Sequence, residues 1–135
     1  DLKFIEEFQP DMCGIGPFIS HKDTPFKSEK NGDAELTCFL LALVRIIKPD
    51  ILLPATTALG TIAENGRKQA IEASANVVMP NLSPLDVRSK YSLYDNKLHS
   101  GSESADNLNS LKKAMKEIGY EIVCDRGDII KQKEN

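Results

Sequence analysis

With 135 residues, the chain is long enough for one domain, or part of one, with a real hydrophobic core. Its 41% hydrophobic and 27% charged residues are ordinary for a globular protein, and a net charge of −3 provides no basic footprint for nucleic acid or an anionic membrane. No apolar run approaches the ~18–20 residues of a membrane-spanning helix.

The chain opens on DLKFIEEF, which is acidic and helix-like rather than a signal peptide. The absence of an initiating Met fits a processed or truncated form. Residues 12–20 (MCGIGPFIS) then run apolar, reach Pro17 and turn polar. The same pattern recurs in DILLPATT (50–57) with Pro54 and in NVVMPNLS (76–83) with Pro80. Short continuous apolar runs of this kind predict parallel strands buried on both faces, and proline fits where ladder pairing ends.

Helical patterns lie between these segments. Leu36, Phe39, Leu40, Leu43, Val44 and Ile47 form an apolar stripe with Asp33 as N-cap and Pro49 past the end. A shorter helix is predicted from near Asn65 through Ala70 and Ile71 to about Ala73. A third is predicted over about 103–118, with Leu108, Leu111, Met115 and Ile118 on one face and Gly119 as its stop. YEIVCD (120–125) reads as a further strand, and the basic tail 131–133 as a solvated terminus. Two stretches lack periodicity. Residues 19–32 make a long βα connection, of the kind that is commonly functional, and 90–104 carry Tyr91 and Tyr94.

The α-β-α-β-α-β-α-β order predicts an α/β fold with right-handed crossovers, either a piece of a (β/α)-barrel or a small doubly wound sheet. Three or four strands cannot close a barrel, which needs about eight, so a lone piece would leave edges and an inner face to be covered.

Most chemical motifs have a bland reading here. Cys13, Cys38 and Cys124 are odd in number and widely spaced, so they predict reduced, mostly buried thiols of a cytosolic protein rather than disulfides or a zinc site. His21 and His99 have no partner at metal-ligand spacing. In GIGPFI, Ile19 stands where a dinucleotide fingerprint requires its third glycine, and Ser20, His21 and Asp23 read as a polar turn rather than a triad. The strand ends are more informative, because ligands of parallel α/β folds sit at the carboxyl ends of strands. Thr56, Thr57, Met79, Asn81, Ser83 and the His21 loop would share that end. Hydroxyls there can bind a carboxylate or other small anion, or they can simply cap the next segment. The residues alone leave both readings open.

Four blocks, MCGIGPFISHKDTPF, LLPATTALG, ANVVMPNLSPLDVRSKY and IGYEIVCDRGD, together resemble the C-terminal part of the HydE family. These are the radical S-adenosylmethionine maturases of [FeFe]-hydrogenase, in the group that includes biotin synthase and methylornithine synthase. The resemblance implies that residues 1–135 hold the last three or so parallel βα units, plus a C-terminal extension, of a (β/α)8 TIM-type barrel. The region from about residue 34 onward would be of the type associated with biotin and thiamin synthesis. It also implies S-adenosylmethionine and a [4Fe–4S] cluster in the full-length parent, with other hydrogenase maturation proteins as partners. The cysteines show no CxxxCxxC spacing, so this chain would supply cavity walls, with no catalytic or metal-binding residue of its own, and would be inactive alone. By resemblance, Thr56, Thr57 and Met79 line an anion or substrate site, and Tyr91 and Tyr94 lie near the cavity mouth. Gly14, Ile15, Gly16 and Pro17 run near the S-adenosylmethionine, while Asp125, Arg126 and Gly127 form a closing turn. A biotin synthase-like enzyme and a self-associating binding module are the alternatives.

Overall fold

The computed structural model describes residues 1–80 and 108–128. Its helices are α1 (Leu2–Phe8), α2 (Ala34–Ile47), α3 (Thr57–Ile62), α4 (Gly66–Glu72) and α5 (Leu108–Glu117). Helices α1 and α4 pack on α2, and α3 packs on α4.

Local signals set the helix ends. The Asp33 carboxylate accepts from the Leu36 N–H at 2.9 Å, the N-cap that the sequence predicts for α2. Helix α5 stops at Gly119, whose φ of 83° lets the Tyr120 N–H reach the Met115 carbonyl and the Gly119 N–H that of Lys116. Helix α4 closes in the same way on a residue with a side chain. Ser74 takes φ 114°, and its hydroxyl donates to the Leu41 carbonyl on α2 at 3.0 Å.

The stripe expected on α2 is only partly the buried one. Thr37, Leu41 and Val44 face the core, whereas Leu36 and Phe39 are more than half exposed. Helix α2 is apolar nearly all round, so periodicity alone could not say which side would be covered.

The three apolar segments run parallel and side by side, but pair only at isolated bridges, Met12 with Leu52 and Pro54 with Val77. This corrects the expectation of full strands, and the cause is visible in the donors. Leu52 N–H donates to Asp11 and Cys13 N–H to Leu52, each at 3.0 Å. The next rung needs an N–H at residue 54, which proline lacks. Between the second and third segments, the Leu53 N–H goes to the Asn76 side chain at 2.8 Å, while Asn76 and Val77 N–H groups converge on the Leu53 carbonyl. Residues 120–125 likewise form no ladder among the described residues. They lie beside the third segment across a cavity of about 370 Å³ lined by Leu52, Val77, Tyr120, Ile122 and Val123.

The layer has two unlike faces. Ile51, Leu53 and Ala55 are buried in one core with Leu41, Val44, Leu59, Ala70, Ile71 and Met115, and Cys13, Ile15 and Val78 pack against it. The residues between them point the other way, where Met12 is 47% and Met79 58% exposed. Helices therefore cover one face only among the described residues.

The opposite end of the layer is tied down by Arg45. Its guanidinium donates to the carbonyls of Pro49, Ile51 and Ser74 at 2.6–3.0 Å, joining α2 to the start of the second segment and the end of α4. Lys48, only 8% exposed, pairs with Asp50 at 2.8 Å.

Candidate functional site at the segment ends

Bridge register brings the candidate residues together. Continuing the Met12–Leu52 pairing along both segments sets Gly16 beside Thr56, and continuing Pro54–Val77 sets Met79 on the other side of Thr56. The Gly16–Thr56 neighbourhood is direct, since a Cβ built on Gly16 would lie 3.0 Å from Thr56 Oγ1. Gly16, Thr56 and Met79 thus form a row across the carboxyl ends of the segments, on the face that no helix among the described residues covers.

Thr56 occupies the N-cap position of α3 with extended backbone (φ −71°, ψ 153°), yet its side chain makes no capping hydrogen bond. The apolar run ends and a helix begins there, so Thr57 is the first residue of α3. That six-residue helix, TALGTI, is absent from the elements that the sequence predicts. Its threonines and glycine are weak helix formers, and only the burial of Leu59 marks it. The Thr56 hydroxyl is enclosed and without any hydrogen-bond partner, alone in this among the described residues. Of the two readings open from the sequence, capping is therefore not what the Thr56 side chain does. An enclosed hydroxyl without a partner costs about 1–3 kcal/mol and is a donor free for a ligand.

Around the row, Gly14 faces open space, Pro17 is buried, and Ile15 packs toward the core. No charged side chain belongs to the row, so a ligand held there would meet hydroxyls and backbone rather than a counter-charge. Asn81, Ser83, Tyr91 and Tyr94 lie outside the described residues.

The 19–32 loop is compact rather than a lid on the row. Gly32 N–H closes it on the Phe18 carbonyl at 2.8 Å, Ser20 N–H donates to Asn31, and Phe18 meets Phe26 edge-on. His21 Nδ1 accepts from the Asp23 N–H at 3.1 Å and the Thr24 hydroxyl donates to the His21 carbonyl, so S-H-x-D is a local turn. A cavity of about 660 Å³ lies between this loop and α3, lined by Ser20, Lys30, Asn31, Asp33 and Thr61.

The cysteines do not converge. Burial raises the pKa of the Cys13 and Cys38 thiols, which keeps them protonated at neutral pH, and Cys124 is exposed. Among the described residues no three His, Cys, Asp or Glu side chains could hold a metal ion. A [4Fe–4S] cluster therefore does not fit the groups present. Asp125 accepts from the Arg126 N–H at 2.6 Å, Arg126 pairs with Asp128 and Gly127 has φ 77°, so the contacts of these residues are local ones. No helix among the described residues is long and apolar enough to cross a membrane.

No family model matches the chain. It is 51% identical over 98 residues to the [FeFe] hydrogenase maturase subunit HydE of Thermotoga maritima. The match covers 73% of this chain and 28% of that protein, in its C-terminal part, in agreement with the resemblance carried by the four sequence blocks. The chain spans under a third of the length of the relative it matches.

Proposed function

From that similarity we propose that this chain is the C-terminal substrate-cavity part of a radical S-adenosylmethionine maturase that helps assemble the di-iron subcluster of [FeFe]-hydrogenase. The parent would be a (β/α)8 barrel of which residues 1–135 form the last three or so βα units and an extension, and it would act in the cytoplasm with other maturation proteins. The observation that carries this reading is the 51% identity to a hydrogenase maturase subunit. A parallel layer clad by helices on one face supports the barrel, since an inner barrel face is the side that helices do not cover.

In the parent, S-adenosylmethionine and a reduced cluster supply a radical. The cluster ligands would come from sequence outside this chain, whose cysteines lack the CxxxCxxC spacing and whose described residues hold no group that fits a cluster. The chain's own work would be to line the cavity. Thr56 and Thr57 would donate hydroxyls to a carboxylate or another small anion, Met79 would wall the site beside them, and Tyr91 and Tyr94 would stand near its mouth. Residues 14–17 would pass the S-adenosylmethionine. The partnerless Thr56 hydroxyl supports the donor role.

The test uses the complete, cluster-loaded protein. Replacing both threonines by valine should weaken anion or substrate binding by about 1.5–3 kcal/mol per lost hydrogen bond to a charged ligand. Reductive cleavage of S-adenosylmethionine should be largely retained. Equal loss of both activities would assign the threonines to the fold instead.

A second reading, a self-associating binding module, has its own support in the exposed Leu36, Phe39 and Ile46 on α2 and Met12 and Met79 on the open face. Light scattering of the 135-residue chain decides it, and a monomer at high concentration would remove it.

A further inference from the structure

We propose that Gly16 is a positioning residue for Thr56, its missing side chain creating the slot that keeps the Thr56 hydroxyl at the segment ends for a carboxylate-bearing ligand. The proposal rests on the reading of Thr56 as an anion donor and adds the residue that sets the hydroxyl's orientation.

The argument begins with space. A Cβ at residue 16 would stand 3.0 Å from Thr56 Oγ1 and 3.6 Å from both Thr56 Cβ and Cγ2. Two of the three substituents on the Thr56 Cβ carbon, its hydroxyl and its methyl, thus face Gly16. A methyl group there would favour the rotamer that turns the Thr56 hydrogen toward residue 16 and swings the hydroxyl away. Register makes the pairing systematic, since it follows from the Met12–Leu52 bridge. The conformational freedom of glycine is not needed at this position, because Gly16 does not take positive φ. What the site uses is the absence of a side chain. Gly14, two residues earlier and on the same face by alternation, would meet nothing within 4 Å as alanine. Because the assay below holds no S-adenosylmethionine, the role proposed for residues 14–17 beside it does not enter, and Gly14→Ala carries the same change of residue type without the contact.

The orphaned state of the hydroxyl gives the slot its purpose. A threonine free to choose its rotamer would turn a partnerless enclosed hydroxyl toward water or toward the α3 N–H groups that it is placed to cap. Here it does neither, and it stays enclosed beside Gly16 without a partner. The anion that arrives at the row supplies the missing acceptor.

The experiment compares wild type, Gly14→Ala, Gly16→Ala and Gly16→Ala/Thr56→Ser in the 135-residue chain. Three-bond couplings to the Thr56 Cγ2 methyl report its χ1 rotamer, and acetate titration followed at residues 56–57 by NMR reports carboxylate binding. Gly16→Ala should shift the Thr56 χ1 population and weaken acetate binding about tenfold, the equivalent of one hydrogen bond to a charged ligand. Gly14→Ala should do neither. The double variant should stay as weak as Gly16→Ala, because the tight 3.0 Å contact is with the hydroxyl oxygen, which serine keeps, and the 3.6 Å contact with Cγ2 that serine removes is ordinary; recovery of binding in the double variant would overturn the proposal. Unchanged χ1 and affinity in Gly16→Ala, or equal loss in Gly14→Ala, overturns the proposal. A χ1 shift in Gly16→Ala with no acetate response in any variant upholds the positioning and removes the anion reading. A thermal melt of each variant guards against misfolding, and Gly16→Ala should melt within a few degrees of Gly14→Ala.

Discussion

Replacing Thr56 by valine should make the protein more stable. Valine keeps the β-branched shape and exchanges only the hydroxyl for a methyl. That hydroxyl is enclosed and has no partner, so the native state carries its desolvation without a compensating bond. Removing such a group recovers up to about 1–3 kcal/mol, and the slightly larger methyl, in the same enclosed position beside Gly16, returns part of that. A net gain of about 1 kcal/mol is expected, a rise of roughly 3–5 °C in Tm for a chain of this size. The assay is urea denaturation with a melting scan beside it. Had the hydroxyl capped α3, its loss would cost about 0.5–2 kcal/mol instead. A lower midpoint in Thr56→Val by that amount would refute the geometry at the segment ends, and with it the assignment of this hydroxyl to a ligand.

Four further outcomes follow from other contacts. Arg45→Met removes the three carbonyl contacts made by one guanidinium and should cost about 2–4 kcal/mol by urea denaturation; Arg45→Lys should recover less than half, because an ammonium cannot span three sites. Gly66→Ala should destabilise by at least about 3 kcal/mol, because a Cβ there would lie 2.1 Å from the Leu59 carbonyl oxygen, whereas glycine to alanine in a helix ordinarily stabilises. Asp33→Ala should cost about 1 kcal/mol through loss of the α2 N-cap, and Asp33→Asn should retain most of it. The Asp50 carboxyl is held below its usual range, first by its hydrogen bond from Lys48. A depressed folded pKa means that its contribution is present above the unfolded pKa and lost as pH falls through the folded one. Unfolding midpoints measured between about pH 5 and about pH 2 should therefore fall more steeply in wild type than in Asp50→Asn.

The parts of the fold that the sequence makes legible are those carried by local chemistry. Asp33 before an apolar run, Gly119 after one and the Asn65–Ala73 pattern each name a helix that is present. The three proline-ended segments do lie parallel. What was not legible depends on partners remote in sequence. Helix α3 has a poor local propensity and exists because Leu59 has a core to enter. The buried side of α2 is chosen by Ile5, Leu53 and Ala70, not by its own periodicity. The pairing stays at single bridges because an asparagine side chain takes one donor and a proline lacks another. At the site, Thr56 and Met79 could be placed at one end from the repeat of apolar run and proline. That Gly16 completes the row required the register.

Register also decides which changes of length the molecule can absorb. The 19–32 loop closes on itself at Phe18 and Gly32, so residues added at its tip would leave the row where it is. The run from Leu52 to Thr56 has no such freedom. One residue inserted there would turn Thr56 toward α3 and the core and bring Leu53 or Ala55 out onto the open face. Among homologous chains, insertions should therefore collect in the loop and be absent from those five positions, so that the spacing from Leu52 to Thr56 is as much a part of the site as the hydroxyl itself.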